Sequence, residues 1–193
     1  MHPRLLPLLA SIGPRLFAAL TVLAGLVKPG YDIAEQTVSD LAVGDYGSIQ
    51  TANFLILGVA LIAFAVLLRS RRGALFGFAG AAVIAAAFYE TDLAGAPETS
   101  HGATHNMLFL LIFLALIAAF ALHGSRLTAL AVFAGLFVFV MFAGDVGDPL
   151  HDVAGLIERV VIAIPLAWIS FSAAQQLHAV APGIRRVEAA NAR

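Results

Sequence analysis

The stretch FYETDLAGAPETSHGATHN (Phe88–Asn106) lies between two long apolar runs, Gly73–Tyr89 and Met107–Leu122. It contains three acidic residues and two histidines, although only 12% of the whole chain is charged. Residues 31–48 and 144–159 share this polar character. If the apolar runs between these three stretches cross a membrane, the acids and histidines gather at one surface of a helical bundle.

The composition of the chain is that of a membrane protein. Of its 193 residues, 61% are hydrophobic, and the mean hydropathy is +0.93, whereas a soluble domain is normally about a quarter charged. The apolar runs lack the alternation of a membrane β-barrel. The sequence therefore predicts an all-α integral membrane protein. The absence of cysteine excludes disulfides and thiolate metal sites, and the net charge of −1 does not indicate a nucleic-acid partner.

The apolar runs predict a single transmembrane domain over residues 1–193. Runs of about 18 residues or more can cross about 30 Å of hydrocarbon as helices. Pro14 is expected in the first turn of the first span, where a missing N–H is harmless. Asp32–Ala42 is too short and too polar to cross, and it predicts a short interfacial helix in the first outer loop. The six predicted spans cover about residues 14–30, 49–68, 73–90, 105–122, 127–144 and 158–177, followed by a polar tail at 179–193.

The basic residues predict the orientation of these spans. Nine of the eleven fall in the tails and loops on the side of both termini, and the positive-inside rule makes that side cytoplasmic. Eleven of the twelve acids fall at the opposite, outer face. We therefore expect a protein integral to the cell membrane, with both termini in the cytoplasm. The nine residues are Arg4, Arg15, Arg69, Arg71, Arg72, Arg126, Arg185, Arg186 and Arg193.

Three histidines of the predicted outer face suggest a metal site. His101 and His105 are four residues apart, so they share one face if they lie on a helix. Together with His151 they would offer three imidazoles to zinc. A fourth ligand, a partner that orients a histidine, or a base could come from Asp92, Asp145, Asp148 or Asp152. The alternative, which we favour, is that these histidines are hydrogen-bonded to carboxylates at a wet interface.

The pair Ser39-Asp40 suggests a nucleophile. A histidine from another loop could activate Ser39, although the chain has no Gly-x-Ser-x-Gly motif. A helix cap or a polar interfacial face explains the pair equally simply, and we favour that interpretation.

Arg159 is almost the only cation among the outer acids. We expect it to pair with Asp92, Asp145, Asp148 or Asp152 and so to lock the helical hairpins together; alternatively, it binds an anionic group such as a phosphate. The candidate catalytic residues from the sequence are Ser39, Asp40, Asp92, His105, Asp148, His151 and Arg159.

Several short motifs resemble those of a family of small prokaryotic membrane proteins. These motifs are Pro29-Gly30-Tyr31-Asp32, then Thr37–Ala42 with Gly44, then Phe54 and Gly58, and later Asp92, His105 and Gly155 with Glu158-Arg159. They are similar to the family recorded as domain of unknown function 998. The resemblance implies a bundle of six spans, and it implies no particular activity.

The polar outer face supports three kinds of function. One is a membrane-embedded hydrolase or transferase that acts on lipid, and zinc is the one cofactor that the residues suggest. The others are a small transporter and a non-catalytic subunit that binds other membrane proteins. The spans are almost free of ionisable residues at mid-depth, which argues against a proton relay through the bundle. The sequence does not decide between an enzyme and a subunit.

Overall fold

The computed structural model describes the backbone of residues 4–191 and the side chains of residues 4–179. These residues form six α-helices and no β-strand. Two short 3₁₀-helices, Ser39–Ala42 and His151–Val153, lie in the connections before the second and sixth α-helices. The α-helices are α1 (Leu5–Val27), α2 (Gly47–Leu68), α3 (Gly73–Ala86), α4 (Ser100–His123), α5 (Arg126–Phe142) and α6 (Ala154–Asn191).

Within the described part of the chain, four helical segments are long and apolar enough to cross a membrane, namely α1, α2, α4 and the stretch His151–Ala179 that contains most of α6. The apolar helices α3 and α5 are shorter, with 14 and 17 residues. At 1.5 Å per residue they extend about 21 Å and about 26 Å, short of the roughly 30 Å of a hydrocarbon core. The structure therefore confirms an all-helical fold with several apolar helices of membrane-spanning length.

The helix boundaries differ from the prediction at several ends. Helix α1 begins at Leu5, so that Pro14 lies inside it and Pro7 occupies the first turn instead. Helix α4 begins at Ser100 because the Thr99 hydroxyl caps it by accepting from the Gly102 N–H at 3.0 Å. The backbone of α6 stays helical through Asn191, across the predicted polar tail.

The predicted interfacial α-helix over residues 32–42 does not form; only its last four residues are helical, as 3₁₀. The carbonyls of this segment are used elsewhere. Those of Ala34 and Glu35 accept from the N–H groups of Leu156 and Gly155, each at 3.1 Å. The loop thereby satisfies N–H groups that the start of α6 cannot pair internally.

The six helices form a ring in which each packs against its neighbours in sequence and α6 packs against α1. Small residues allow the helices to approach closely. A Cβ on Gly58 of α2 would lie 2.7 Å from the carbonyl oxygen of Gly80 in α3, and the reverse holds for Gly80. A Cβ on Gly13 of α1 would lie 2.3 Å from the Cβ of Ala60. Such close packing at small residues is typical of membrane helices.

The interior of the ring is closed at one end by four aromatic side chains, which we call the aromatic floor: Phe64, Phe76, Phe120 and Trp168. Ring centroids are 5.0 Å apart for Phe64 and Phe76, and 5.1 Å apart for Phe120 and Trp168. These rings come from α2, α3, α4 and α6, so the floor joins four helices. The loops that follow α1, α3 and α5 lie at the other end of the ring, which we call the polar end.

Candidate functional site

A buried serine and a buried histidine meet at the polar end. Ser39 begins the first 3₁₀-helix, and His105 lies in the second turn of α4. The Ser39 Oγ and the His105 Nε2 are 2.9 Å apart, and the two residues are 8% and 5% exposed. The His105 Nδ1 lies 2.8 Å from the carbonyl oxygen of Tyr89. A carbonyl only accepts, so Nδ1 carries the proton of the neutral ring and Nε2 accepts from the serine.

The position of His105 depends on the loop before α4. The carboxylate of Asp92 accepts from the Thr99 N–H at 2.7 Å and from the Thr99 hydroxyl at 2.8 Å. Gly102 makes room for this carboxylate, since a Cβ there would lie 2.0 Å from an Asp92 oxygen. Asp92 therefore stabilises the first turn of α4. Among the described residues, no hydrogen bond joins it to the serine–histidine pair.

The backbone around Ser39 is held by Asp40 and Lys28. The Asp40 carboxylate accepts from the Thr37 N–H at 2.8 Å, and the Lys28 ammonium donates to the carbonyls of Asp40 and Val43. Burial raises the pKa of Asp40, against the opposing effect of the Thr37 hydrogen bonds and the Lys28 charge. Burial likewise lowers the pKa of Lys28. Asp40 thus fixes the turn that presents Ser39.

A second carboxylate reaches the same loop from α6. Glu158 is 2% exposed, and its Oε2 accepts from the Val38 N–H at 2.6 Å. This bond ties the residue before Ser39 to the last helix. The sequence pointed to Glu158 only as the neighbour of Arg159.

The predicted pairing of Arg159 with Asp92, Asp145, Asp148 or Asp152 is wrong. Its guanidinium donates to the carbonyls of Ile33 and Gln36, both at 3.0 Å, and of Gly155 at 2.7 Å. Because residues 33–36 are not helical, their carbonyls are free to accept these bonds. The single ion pair found among the described residues joins His151 to Glu35 at 3.6 Å.

Tyr31 completes the environment of Arg159. The guanidinium lies 5.6 Å from the centre of the tyrosine ring and donates to its hydroxyl. That hydroxyl shares its single proton between the carbonyls of Gln36 and Thr37. Burial raises the pKa of Tyr31 to about 12, so the hydroxyl keeps its proton near neutral pH. Arg159 is thus a structural clamp between α6 and the first loop.

The three histidines proposed for zinc do not come together. Both nitrogens of His105 are already hydrogen-bonded, His101 packs against the Tyr89 ring, and His151 faces Glu35. Asp148 accepts from the Asp145 N–H and shapes its own loop. Across the described side chains, no group of three histidine, aspartate or glutamate residues is placed to hold a metal ion. The geometry gives the zinc hypothesis no support.

Two cavities meet at the serine–histidine pair. A polar pocket of about 890 Å³ lies between the loops of the polar end. An apolar cavity of about 60 Å³ lies below it, inside the ring of helices. The residues that line both spaces are Ser39, His105, Phe109 and Glu158.

A helical ring with apolar membrane-length helices and a buried polar site at one end defines an all-α membrane protein. The chain belongs to the family described as "Protein of unknown function (DUF998)", whose model matches residues 11–175. The match includes the serine–histidine pair, Asp92, Glu158 and Arg159. The search of curated proteins and that of solved structures each returned no match.

Proposed function

We propose that the protein is a membrane-embedded hydrolase or transferase that acts on lipid esters, with Ser39 as nucleophile and His105 as general base. The observation that carries this proposal is the 2.9 Å contact between the Ser39 Oγ and the unprotonated Nε2 of His105. A nucleophile within hydrogen-bond reach of a base that a third group orients is the arrangement used in covalent catalysis. Here the Tyr89 carbonyl is the orienting group.

The pair supports acyl transfer in two steps. In the first, the Ser39 Oγ attacks the ester carbonyl while the His105 Nε2 takes the hydroxyl proton; the proton then passes to the leaving alcohol as the C–O bond breaks. In the second, water or another alcohol attacks the acyl-serine and loses its proton to Nε2; Nε2 passes this proton to the Ser39 Oγ as the bond to the acyl group breaks, which releases an acid or a new ester.

The membrane arrangement that goes with this site has six crossing helices, with α3 and α5 as the short ones, and both termini in the cytoplasm. The supporting observation is that four arginines lie in the loop between α2 and α3 and at the start of α5, at the end of the ring opposite Ser39. These are Arg69, Arg71, Arg72 and Arg126. The serine–histidine pair then faces the outer leaflet.

A fluorophosphonate probe tests the catalytic proposal directly, since it reacts with activated serines. In detergent-purified protein we expect covalent labelling of Ser39, located by peptide mass spectrometry. Ser39→Ala should remove the label, whereas Ser100→Ala, at the exposed start of α4, should retain it. Wild-type protein that stays unlabelled, or labelling that survives Ser39→Ala, would refute the nucleophile.

A further inference from the structure

The cavity below Ser39 has the chemistry of a hydrocarbon site. Its lining residues are apolar apart from Ser39, His105 and Glu158. All three polar residues also line the upper pocket, so they stand at the mouth of the cavity. The apolar walls come mainly from α2, α4 and α6, for example Leu57, Leu116 and Leu166. An apolar space with polar groups only at its mouth suits a chain that ends in a reactive group.

The residues that line the cavity extend over about the thickness of one leaflet of a bilayer. Along α4 its lining runs from His105 to Leu116, about 16 Å at 1.5 Å per residue. Half of a hydrocarbon core is about 15 Å. The aromatic floor lies beyond this point, since Phe120 follows Leu116 by one turn and Phe64 follows Leu61 by about one turn. The aromatic floor therefore closes the ring beyond the lining residues of the cavity.

The upper pocket opens sideways at the seam between α4 and α5. Leu110 and Val140 line it there, and they are 43% and 49% exposed. Phe109, which lines both spaces, packs against Phe139 of α5 with ring centroids 5.6 Å apart. A lipid chain that enters between the two helices would pass this phenylalanine pair to reach the cavity.

The charges of the upper pocket restrict which lipid headgroups it can accept. Its lining carries seven acidic residues, and none of the lysines or arginines in the described part of the chain lines it. Arg159 is already bound to backbone carbonyls. An anionic phosphate headgroup would meet like charge in this pocket. The acidic lining residues are Asp32, Glu35, Asp40, Asp92, Glu98, Asp145 and Glu158.

We infer that the substrate is a membrane lipid ester with an uncharged or cationic headgroup, which enters between α4 and α5. The part of its acyl chain next to the ester enters the apolar cavity of about 60 Å³, its ester carbonyl lies at Ser39, and its headgroup lies in the acidic pocket. This inference rests on the proposed function, because Ser39 must be the nucleophile for the ester to be placed there.

Alkyl fluorophosphonates of increasing chain length test the chain site. We expect the rate of Ser39 labelling to be higher for a dodecyl probe than for an ethyl probe. Val83→Phe, which fills the cavity from α3, should lower the ratio of the dodecyl rate to the ethyl rate about tenfold or more. This is the loss expected when about two methylene groups are kept out of an apolar site. Ile112→Phe fills the cavity from α4 and serves as a second variant if Val83→Phe is misfolded by gel filtration.

Val66→Phe is the matched control, because Val66 is 52% exposed on α2 and does not line the cavity. The ratio of its dodecyl and ethyl labelling rates should equal that of wild type. Ser39 labelling that does not depend on chain length, or a ratio unchanged in folded Val83→Phe and Ile112→Phe, would overturn the inference and leave the nucleophile standing. Failure of every probe to label Ser39 would overturn the proposed function and this inference with it.

Competition in mixed micelles tests the headgroup. A monoacylglycerol should slow labelling of Ser39 by the dodecyl probe more than a monoacyl glycerophosphate with the same chain does. Equal protection, or stronger protection by the phosphate, would overturn the assignment of an uncharged or cationic headgroup.

Discussion

The imidazole of His105 joins α4 to two other segments. One ring nitrogen contacts Tyr89, just after α3, and the other contacts Ser39 in the first loop. If it acts as a base, His105→Gln should lower the rate of Ser39 labelling by about 10²–10⁴-fold, the usual contribution of general base catalysis. Labelling kinetics measure this. His101→Gln, which alters only a partly exposed ring contact to Tyr89, should label normally. A wild-type rate in His105→Gln would show that the Ser39–His105 contact is structural.

The burial of Asp40 should make the stability of the folded protein depend on pH. Burial raises its pKa in the folded protein, so the folded state binds the proton more tightly than the unfolded state does. The stability that this provides is full below the ordinary aspartate pKa of about 3.9 and is lost as pH rises through the raised folded value. Asp40→Asn should therefore gain stability relative to wild type as pH increases, measured by thermal unfolding in detergent at several pH values. Asp45→Asn, at an exposed position, should show no such trend; a constant difference for Asp40→Asn would contradict the prediction.

At the scale of the element, the first loop and the start of α6 stabilise each other. Arg159 satisfies carbonyls of both segments, so Arg159→Ala leaves several partly buried acceptors without a donor. A loss of about 1–3 kcal/mol is typical when buried polar groups lose their partners. Thermal unfolding should show a clear decrease for Arg159→Ala and little change for Arg126→Ala, since Arg126 is exposed at the first residue of α5. Equal, small effects would show that the guanidinium is solvated.

The close approach of the first loop to the start of α6 requires a glycine at position 155. A Cβ there would lie 2.2 Å from the Gln36 carbonyl oxygen and 2.8 Å from that of Ile33, and backbone atoms cannot rotate away. Gly155→Ala should push the loop from α6, lengthen the bond between Val38 and Glu158 and reduce the rate of Ser39 labelling. Gly77→Ala is the matched control, because its Cβ would make an ordinary 3.4 Å contact with Ala65. Normal labelling in Gly155→Ala would show that the loop tolerates displacement.

The sequence predicted the helices well because membrane helices follow the length of their apolar runs. It did not predict contacts that depend on how loops meet. Asp32–Ala42 has the amphipathic pattern of a helix, yet its carbonyls bind Arg159 and the start of α6 instead. Ser39 and His105 are 66 residues apart, and only the packing of the first loop against α4 brings them together. The sequence identified both residues but favoured a cap for the one and a carboxylate network for the other.

At the scale of the whole molecule, the surface of the ring supports a location in lipid. Large apolar side chains point outward along most helices, including Leu26 at 78% and Leu127 at 82% exposed. Soluble monomers rarely expose apolar surface continuously on this scale. The ionisable groups that the structure buries, Asp40, His105 and Glu158, all lie at the polar end. The bundle is thus apolar outside, closed by aromatic rings at one end and polar at the other.

The distribution of arginines between the two ends predicts which end faces outward. Because the chain has no cysteine, single cysteine substitutions can test this orientation. Single substitutions Glu98→Cys, in the loop before α4, and Ala179→Cys, far along α6, place one thiol toward each end of the ring. Because arginines concentrate at the end opposite Ser39, that end should stay in the cytoplasm. In intact cells, a membrane-impermeant maleimide should label position 98 and should label position 179 only after lysis. The reverse pattern would place Ser39 at the cytoplasmic leaflet, and the substrate would then have to be a lipid of that leaflet.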